Sequence, residues 1–261
     1  MAIHIYYRHT PIQRSSGKFR PEWFSHKKCF LNLLETIHSS LLDGKVHLHL
    51  VFDGSENDLR QDFAIGHLDR LAQGSPSAEP AIHRHMIIGG NQRKAWRAVV
   101  ALAKAHCDDN TVQPNDIIYF LENDYVHRAG WIDEVNQLKA HGICWDYLTL
   151  YDHPDKYPDF CKHGDTRHYR NLRSQIFVTP KRHWRTTPST CATYMLSREA
   201  FMRDQLLLRF GIFDFRLFGL LTKILRRRLL SPLPALSTHS MSDFLSPNVD
   251  WAKELAKHSD E

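Results

Sequence analysis

Asp116-Ile-Ile-Tyr-Phe-Leu-Glu-Asn-Asp-Tyr125 is the stretch from which the rest of the chain can be read. From Ile117 to Leu121 the residues are apolar or aromatic without interruption. Such a run describes a strand covered on both faces, as in the middle of a parallel sheet. It stops at Glu122-Asn123-Asp124, and in parallel sheets ligands bind beyond the carboxyl ends of the strands. Two carboxylates one residue apart would be aimed to the same side by the pleat, and the turn can swing one of them onto a metal. That pair suits Mg²⁺ or Mn²⁺, which takes one or two protein carboxylates and completes its shell with phosphate oxygens and water. The plainer reading of the same residues is a solvated acidic turn.

Upstream, residues 3–7 form a strand that closes on Arg8-His9-Thr10-Pro11, and residues 21–40 carry Trp23, Phe24, Phe30, Leu31, Leu34 and Ile37 at helical spacing. Residues 46–52 alternate Val46, Leu48, Leu50 and Phe52 with His47 and His49, then halt at Asp53-Gly54-Ser55. A third strand over 82–88 ends at Gly89-Gly90, and a helix follows over 91–106 with Trp96, Val99, Val100, Leu102 and Ala103 inward. Downstream the pattern predicts a helix over 131–140, a strand over 147–151 and a polar mobile loop over 153–173. A strand pair over 174–179 and 191–196, helices over 198–210 and 213–230, and a loop-rich stretch over 232–251 complete the chain. Strand–helix alternation implies a largely parallel sheet in one α/β domain. No internal repeat or Pro/Ser linker divides it, and residues 73–80 read as a surface loop.

Composition narrows the function. At 261 residues, 42% hydrophobic with 12 glycines and 12 prolines, the chain is neither collagen-like, low-complexity nor disordered. A net charge of +5 is too mild to argue for nucleic acid and is enough for a polyanionic small ligand. Five cysteines form an odd set without CxxC spacing, so reduced core thiols are expected. The 18 histidines are expected mostly at the surface. No apolar run approaches the roughly 18 residues of a membrane span, and residues 1–10 lack a basic start and a long apolar stretch, so the expectation is a cytoplasmic protein.

Four strand ends therefore hold the candidate site: Arg8-His9-Thr10, Asp53-Gly54-Ser55, Gly89-Gly90-Asn91 and Glu122-Asn123-Asp124. Asp53 can accept hydrogen bonds from a base or a ribose hydroxyl, or simply make an Asp-Gly turn. His239, in Leu236-Ser-Thr-His-Ser240, can offer a neutral imidazole to a metal.

The order of strand, Asp53-Gly-Ser, then Gly90-Asn91 opening a helix, then Asp116 to Tyr125, resembles the nucleotide-binding half of GT-A fold glycosyltransferases. These are family-2-like members of the nucleotide-diphospho-sugar transferase superfamily, and they carry a DxD or ExD motif. Ala192-Thr-Tyr-Met-Leu-Ser-Arg-Glu-Ala-Phe201 resembles the acceptor-side strand and helix of the same enzymes. The resemblance implies one GT-A domain over 1–261, a Rossmann-like three-layer α/β/α sandwich with a mostly parallel mixed sheet. Residues 1–125 would be its nucleotide-binding half, 126–251 its acceptor side and 252–261 a tail. It further implies transfer of a sugar from a nucleotide-sugar donor to a glycan or lipid-linked acceptor, in bacterial surface polysaccharide synthesis. By position, Asp53 would recognise the base, and Arg8, Gly90 and Asn91 would line the nucleotide site. Asp124 would ligate Mn²⁺ or Mg²⁺ on the diphosphate, Glu122 would contact the ribose or a metal-bound water, and His239 falls where a late metal-ligating histidine often lies. Glu122 stands where a strict DxD enzyme has Asp.

An inverting transferase needs a carboxylate that takes the acceptor proton. Asp214, an acid at an apolar helix start that should raise its pKa, is the candidate, with Asp152 after the 147–151 strand as the competing position. A helix-start carboxylate is the structural reading of Asp214. Lys223, Arg226, Arg227 and Arg228 lie among leucines, and read either as the solvated face of a packed helix or as a peripheral contact to the inner face of an anionic membrane. Two other enzyme classes use acids at strand ends, nucleotidyltransferases and metal-dependent phosphohydrolases. Against the former, no Gly-rich basic phosphate loop follows the first strand. A nucleic-acid-binding module is disfavoured, because no recognised motif accompanies the charge.

Overall fold

The computed structural model describes residues 1–11, 19–157, 160, 169, 171–210 and 214–256. Along the chain run β1 (Ile3–His9), α1 (His26–Leu42), β2 (Val46–Asp53), α2 (Glu56–Arg60), α3 (Phe63–Gly74), β3 (Ile82–Ile87), α4 (Gln92–Asp108), β4 (Ile117–Glu122) and β5 (Tyr125–His127). There follow α5 (Trp131–Ala140), β6 (Tyr147–Leu148), β7 (Ile176–Thr179), β8 (Arg182–Thr186), β9 (Tyr194–Ser197), α6 (Arg198–Arg209), α7 (Asp214–Gly219), β10 (Leu229–Leu233), β11 (Ser237–His239) and α8 (Trp251–Ala256).

Nine strands form one mixed sheet in the order β3-β2-β1-β4-β9-β6-β10-β8-β7, while β11 and β5 pair as a separate antiparallel ribbon. β1 to β4 are mutually parallel, so their carboxyl ends share one edge. β9 enters antiparallel between β4 and β6. The two faces of the pleat build two cores. Ile3, Ile5, Tyr7, Leu48, Leu50, Tyr119 and Leu121 pack on α1, α3 and α5. Tyr6, Val51, Ile118, Phe120 and Tyr194 pack on α4, α6 and α7. This is a three-layer, single α/β domain built around parallel central strands, as the alternation in the sequence implied.

Helix starts follow capping chemistry. Ser25, Asn91 and Ser197 each accept a backbone N–H three residues on, opening α1, α4 and α6. Ser25 therefore starts α1 later than the expected 21–40 span, leaving Trp23 and Phe24 in the preceding turn and packed beside Val126, Ala235 and Trp251.

Four expectations need correction. β7 pairs with β8 across the turn at Pro180-Lys181, not with the strand after it, because Arg182 and Arg185 disguise a strand whose Trp184 is fully buried. The helix expected over 213–230 stops early: α7 gives way to a π turn at Leu220–Ile224, Arg226 adopts φ 54°, and β10 starts at Leu229. The basic segment is thus not an amphipathic helix, and Arg227 is held by the Asp204 carboxylate at 2.9 Å. The 147–151 strand shortens to Tyr147–Leu148, with Tyr151 bridging to Ser237. His4 and His49 are buried, since the polar positions of β1 and β2 face α4 rather than water. Most of the expected 153–173 loop, Cys161 and the end of the tail lie outside the described residues. No described helix is long and apolar enough to cross a membrane.

Candidate functional site

At the carboxyl edge, parallel register sets Arg8 of β1 directly opposite Glu122 of β4, and their side chains form an ion pair. The backbone N–H of Glu122 donates to the Thr193 hydroxyl at 3.2 Å. β4 ends there, and Asn123-Asp124 form a turn. The two carboxylates therefore do not share a side: the pleat holds only within the strand, and the turn, as expected of it, swings Asp124 away to partners of its own. Asp124 Oδ2 lies 2.8 Å from Arg20 Nη2 and 3.0 Å from His239 Nε2. His239 arrives through the β5–β11 ribbon, which pairs it with Tyr125, and its ring stacks parallel on the Tyr125 ring at 5.1 Å. Arg20 also donates to the Ser240 carbonyl at 2.7 Å and lies over the Phe24 ring.

Asn123, between the two acids, points its amide at His9. His9 Nδ1 takes the hydrogen bond from Asn123 Nδ2 at 3.1 Å, so its Nε2–H is the donor to Asp62 at 2.9 Å. At the next strand end Asp53 Oδ1 accepts the Gly89 N–H at 2.8 Å. A Cβ on Gly89 would sit 2.6 Å from both Asp53 Oδ2 and Ala95 Cβ, so only glycine lets the β3 turn close on Asp53. Gly90 has φ +68°, and Asn91 caps α4. Asp53, Gly90 and Asn91 are thus all engaged in shaping the turn between β3 and α4.

Asp214 opens α7, close enough to Arg8 and Glu122 to feel both charges. Burial, then the nearby Glu122 carboxylate, push its pKa up to about 7, against the opposing pull of Arg8 and the Ala192 backbone. Asp152 lies in a different setting: it is buried, ion-paired with Arg185 and hydrogen-bonded by the Tyr157 hydroxyl. Both Asp152 oxygens are thus already engaged, one by an arginine and one by a phenol, so of the two positions Asp214 is the candidate base. Beside them Lys156 is buried and its pKa lowered by that burial, with Asp155 3.6 Å away.

The structure therefore brings Arg8, Glu122 and Asp214 into one group and Asp124, Arg20 and His239 into another. Sequence reasoning placed His9 at a candidate strand end without giving it a role, and it missed Arg20, Asp62 and Arg185. Arg20 belongs to the segment between β1 and α1, which in a parallel sheet borders the ligand edge, and that placement was the available signal.

A resident divalent cation can be tested against this donor set. Two neighbouring ligands of an octahedral ion at about 2.1 Å stand roughly 3 Å apart, matching the 3.0 Å between Asp124 Oδ2 and His239 Nε2. Those two residues fit; Arg20 on the same oxygen is a competing positive charge, and Glu122 is engaged by Arg8.

No family model matches the sequence, and no curated protein does. Among solved structures, the chain is similar to a UDP-glucose pyrophosphorylase complexed with UDP-glucose, with a TM-score of 0.51 at 9% identity over 99% of this chain and 97% of that one. A candidate nucleotide-diphospho-sugar transferase from Desulfovibrio desulfuricans G20 overlaps more loosely, with a TM-score of 0.40 at 11% identity over 88% of this chain and 80% of that one. The protein shares the fold of that pyrophosphorylase.

Proposed function

We propose that this protein is a glycosyltransferase that moves a sugar from a nucleotide-sugar donor to a glycan or lipid-linked acceptor, in the synthesis of a bacterial surface polysaccharide. Residues 1–125 form the nucleotide half and 126–251 the acceptor side. The observation that carries this reading is Asp214, a carboxyl with a pKa near 7 facing Glu122 and Arg8 at the ligand edge. Inverting transfer to a hydroxyl needs such a base; attack by a sugar phosphate on a nucleoside triphosphate does not, because the nucleophile is already an anion.

In this reading Asp53 and the Gly90-Asn91 turn hold the base and ribose, and Arg8 faces the diphosphate. Asp124 and His239 would hold Mn²⁺ or Mg²⁺, and Glu122 would contact the ribose or a water of that ion. The ion, when bound, neutralises charge growing on the departing nucleoside diphosphate. Asp214 takes the proton of the acceptor hydroxyl as it attacks the anomeric carbon, and Arg8 stabilises the negative charge nearby.

The second reading, a nucleotidyltransferase, is favoured by the similarity to a pyrophosphorylase bound to UDP-glucose. One incubation separates the two. With UDP-glucose and a panel of other nucleotide sugars, plus Mn²⁺ and pyrophosphate, a pyrophosphorylase regenerates the nucleoside triphosphate. A glycosyltransferase releases nucleoside diphosphate, by slow hydrolysis or transfer, and makes no triphosphate. Triphosphate formation at turnover rates overturns the first reading.

A further inference from the structure

Away from the ligand cleft, the face of the sheet under α4 is built of imidazole where a helix–sheet contact would ordinarily be aliphatic. His4 and Tyr6 on β1, His47 and His49 on β2, and His83 and His85 on β3 follow one another at period two, so all point to one side. Register places His4 opposite His47, and Tyr6, His49 and His83 in a single row. His106, in the last turn of α4, completes the group from above. The rings stack: His4 on His47 at 4.7 Å, Tyr6 on His49 at 4.6 Å, His49 on His83 at 4.5 Å.

The protons in this group can be assigned from one end. The Asp116 carboxylate accepts the backbone N–H groups of Ala2 and Gln113 and lies 3.4 Å from His4 Nε2. A carboxylate only accepts, so His4 carries its proton on Nε2 and presents a lone pair at Nδ1. His49 Nε2, 3.1 Å from that lone pair, is then the protonated nitrogen, and His49 Nδ1 is a lone pair directed toward His85, whose Nε2 lies 3.1 Å away. His106 Nδ1 meets the Tyr6 hydroxyl at 2.8 Å, which leaves its Nε2 for another partner. A carboxylate–imidazole relay that fixes the tautomer of the next imidazole is the arrangement found behind metal-ligating histidines.

We infer that His49, His85 and His106 form a site for a transition-metal dication of the imidazole-preferring class, for which Zn²⁺ is the probe, separate from the oxygen-rich cleft and independent of the reaction proposed there. One ligand nitrogen from each lies within 4.8 Å of the other two. Three imidazole nitrogens around zinc stand about 3.3 Å apart, so small side-chain rotations close the triad. The ion takes the place of the His49–His85 hydrogen bond. An all-nitrogen donor set excludes Mg²⁺ and Ca²⁺ and suits Zn²⁺, Ni²⁺ or Cu²⁺. His49 is fully buried and anchored by the relay, whereas His85 and His106 are only partly buried and open the site to solvent. Bound metal would join β2, β3 and α4.

Chelator-treated full-length protein titrated with Zn²⁺ by calorimetry, and with Co²⁺ by visible absorption, tests the inference. The expected result is one equivalent of Zn²⁺, a raised Tm, and a Co²⁺ d–d spectrum of low-coordinate nitrogen ligation. His85→Ala and His106→Ala should each weaken uptake by about 10- to 100-fold, while His38→Ala, at an exposed position of α1, leaves it unchanged. The wild-type Co²⁺ spectrum decides the ligation even where a variant is poorly folded. Absence of stoichiometric uptake by wild type, full affinity in both cluster variants, or loss of uptake in His38→Ala each overturns the site.

Discussion

At the scale of single residues, Arg20 and Asp214 carry the sharpest expectations. Arg20 places a positive charge 2.8 Å from the Asp124 oxygen that also meets His239. A unit charge about 4 Å away, at an effective dielectric near 20, is worth on the order of 4 kcal/mol before screening. Even a tenth of that is about a factor of two, so Arg20→Ala should tighten Mn²⁺ binding at least about twofold by calorimetry; weaker binding would make Arg20 a partner of the metal site instead of its competitor. For Asp214, the ionised form is the base, so transfer should rise with pH through about 7. Asp214→Asn should keep donor affinity, remove that rise and lower turnover by roughly 10² to 10⁴. Steady-state rates over pH, beside donor titration, separate the two roles. The raised pKa of Asp214 was legible in the sequence because an acid among Ile212, Phe213 and Phe215 has few ways to avoid desolvation. Arg20 was not, because it meets Asp124 across 104 residues of chain and no local period announces such a contact.

At the scale of elements, the parallel strands were readable because period and continuity of apolar residues encode them directly, and β1 to β4 fall within a few residues of their expected spans. Pairing was less readable. Nothing in Arg182–Thr186 shows that its neighbours in space are β7 and β10, and the turn after Glu122 broke a rule that was sound inside the strand. Asn91 illustrates an element-level claim on a residue first chosen for ligand contact. Its side chain accepts the Lys94 N–H at 3.0 Å and caps α4. Asn91→Ala should cost about 0.5–2 kcal/mol in urea unfolding, and Asn91→Asp close to nothing, since both Asn and Asp cap well. If Asn91→Asp keeps stability yet loses nucleotide affinity, the residue serves the ligand as well as the helix; equal stability of all three proteins would remove the cap from the account.

At the scale of the whole molecule, the layers were legible and the charge arrangement was not, because burial of polar groups depends on which face each strand turns inward. His127 is fully enclosed, bonded to Tyr119 at 2.8 Å, and burial pulls its pKa down to about 3. Unfolded, it would titrate near 6.5. Above that pH neither state binds the proton. Below it the unfolded chain takes up a proton that the folded chain refuses, so stability falls as pH drops from about 6.5 toward 3, by on the order of 1 kcal/mol per pH unit. His127→Gln, which can keep a bond to Tyr119, should flatten the decline of the urea midpoint between pH 7 and 5; an unchanged slope would mean that His127 opens to water before the molecule unfolds. The imidazole row under α4 has a different consequence, for assembly. On the other face of the same strands stand Ile3, Ile5, Val46, Leu48, Leu50 and Ile82. If β2 slipped by one residue, His47 and His49 would be thrust among these aliphatic chains without hydrogen-bond partners, and Leu48 and Leu50 would turn toward His4, His83 and His106. The row thus makes misregistered pairing costly for all three strands at once, and so selects the single alignment in which the carboxyl edge of the sheet comes out level.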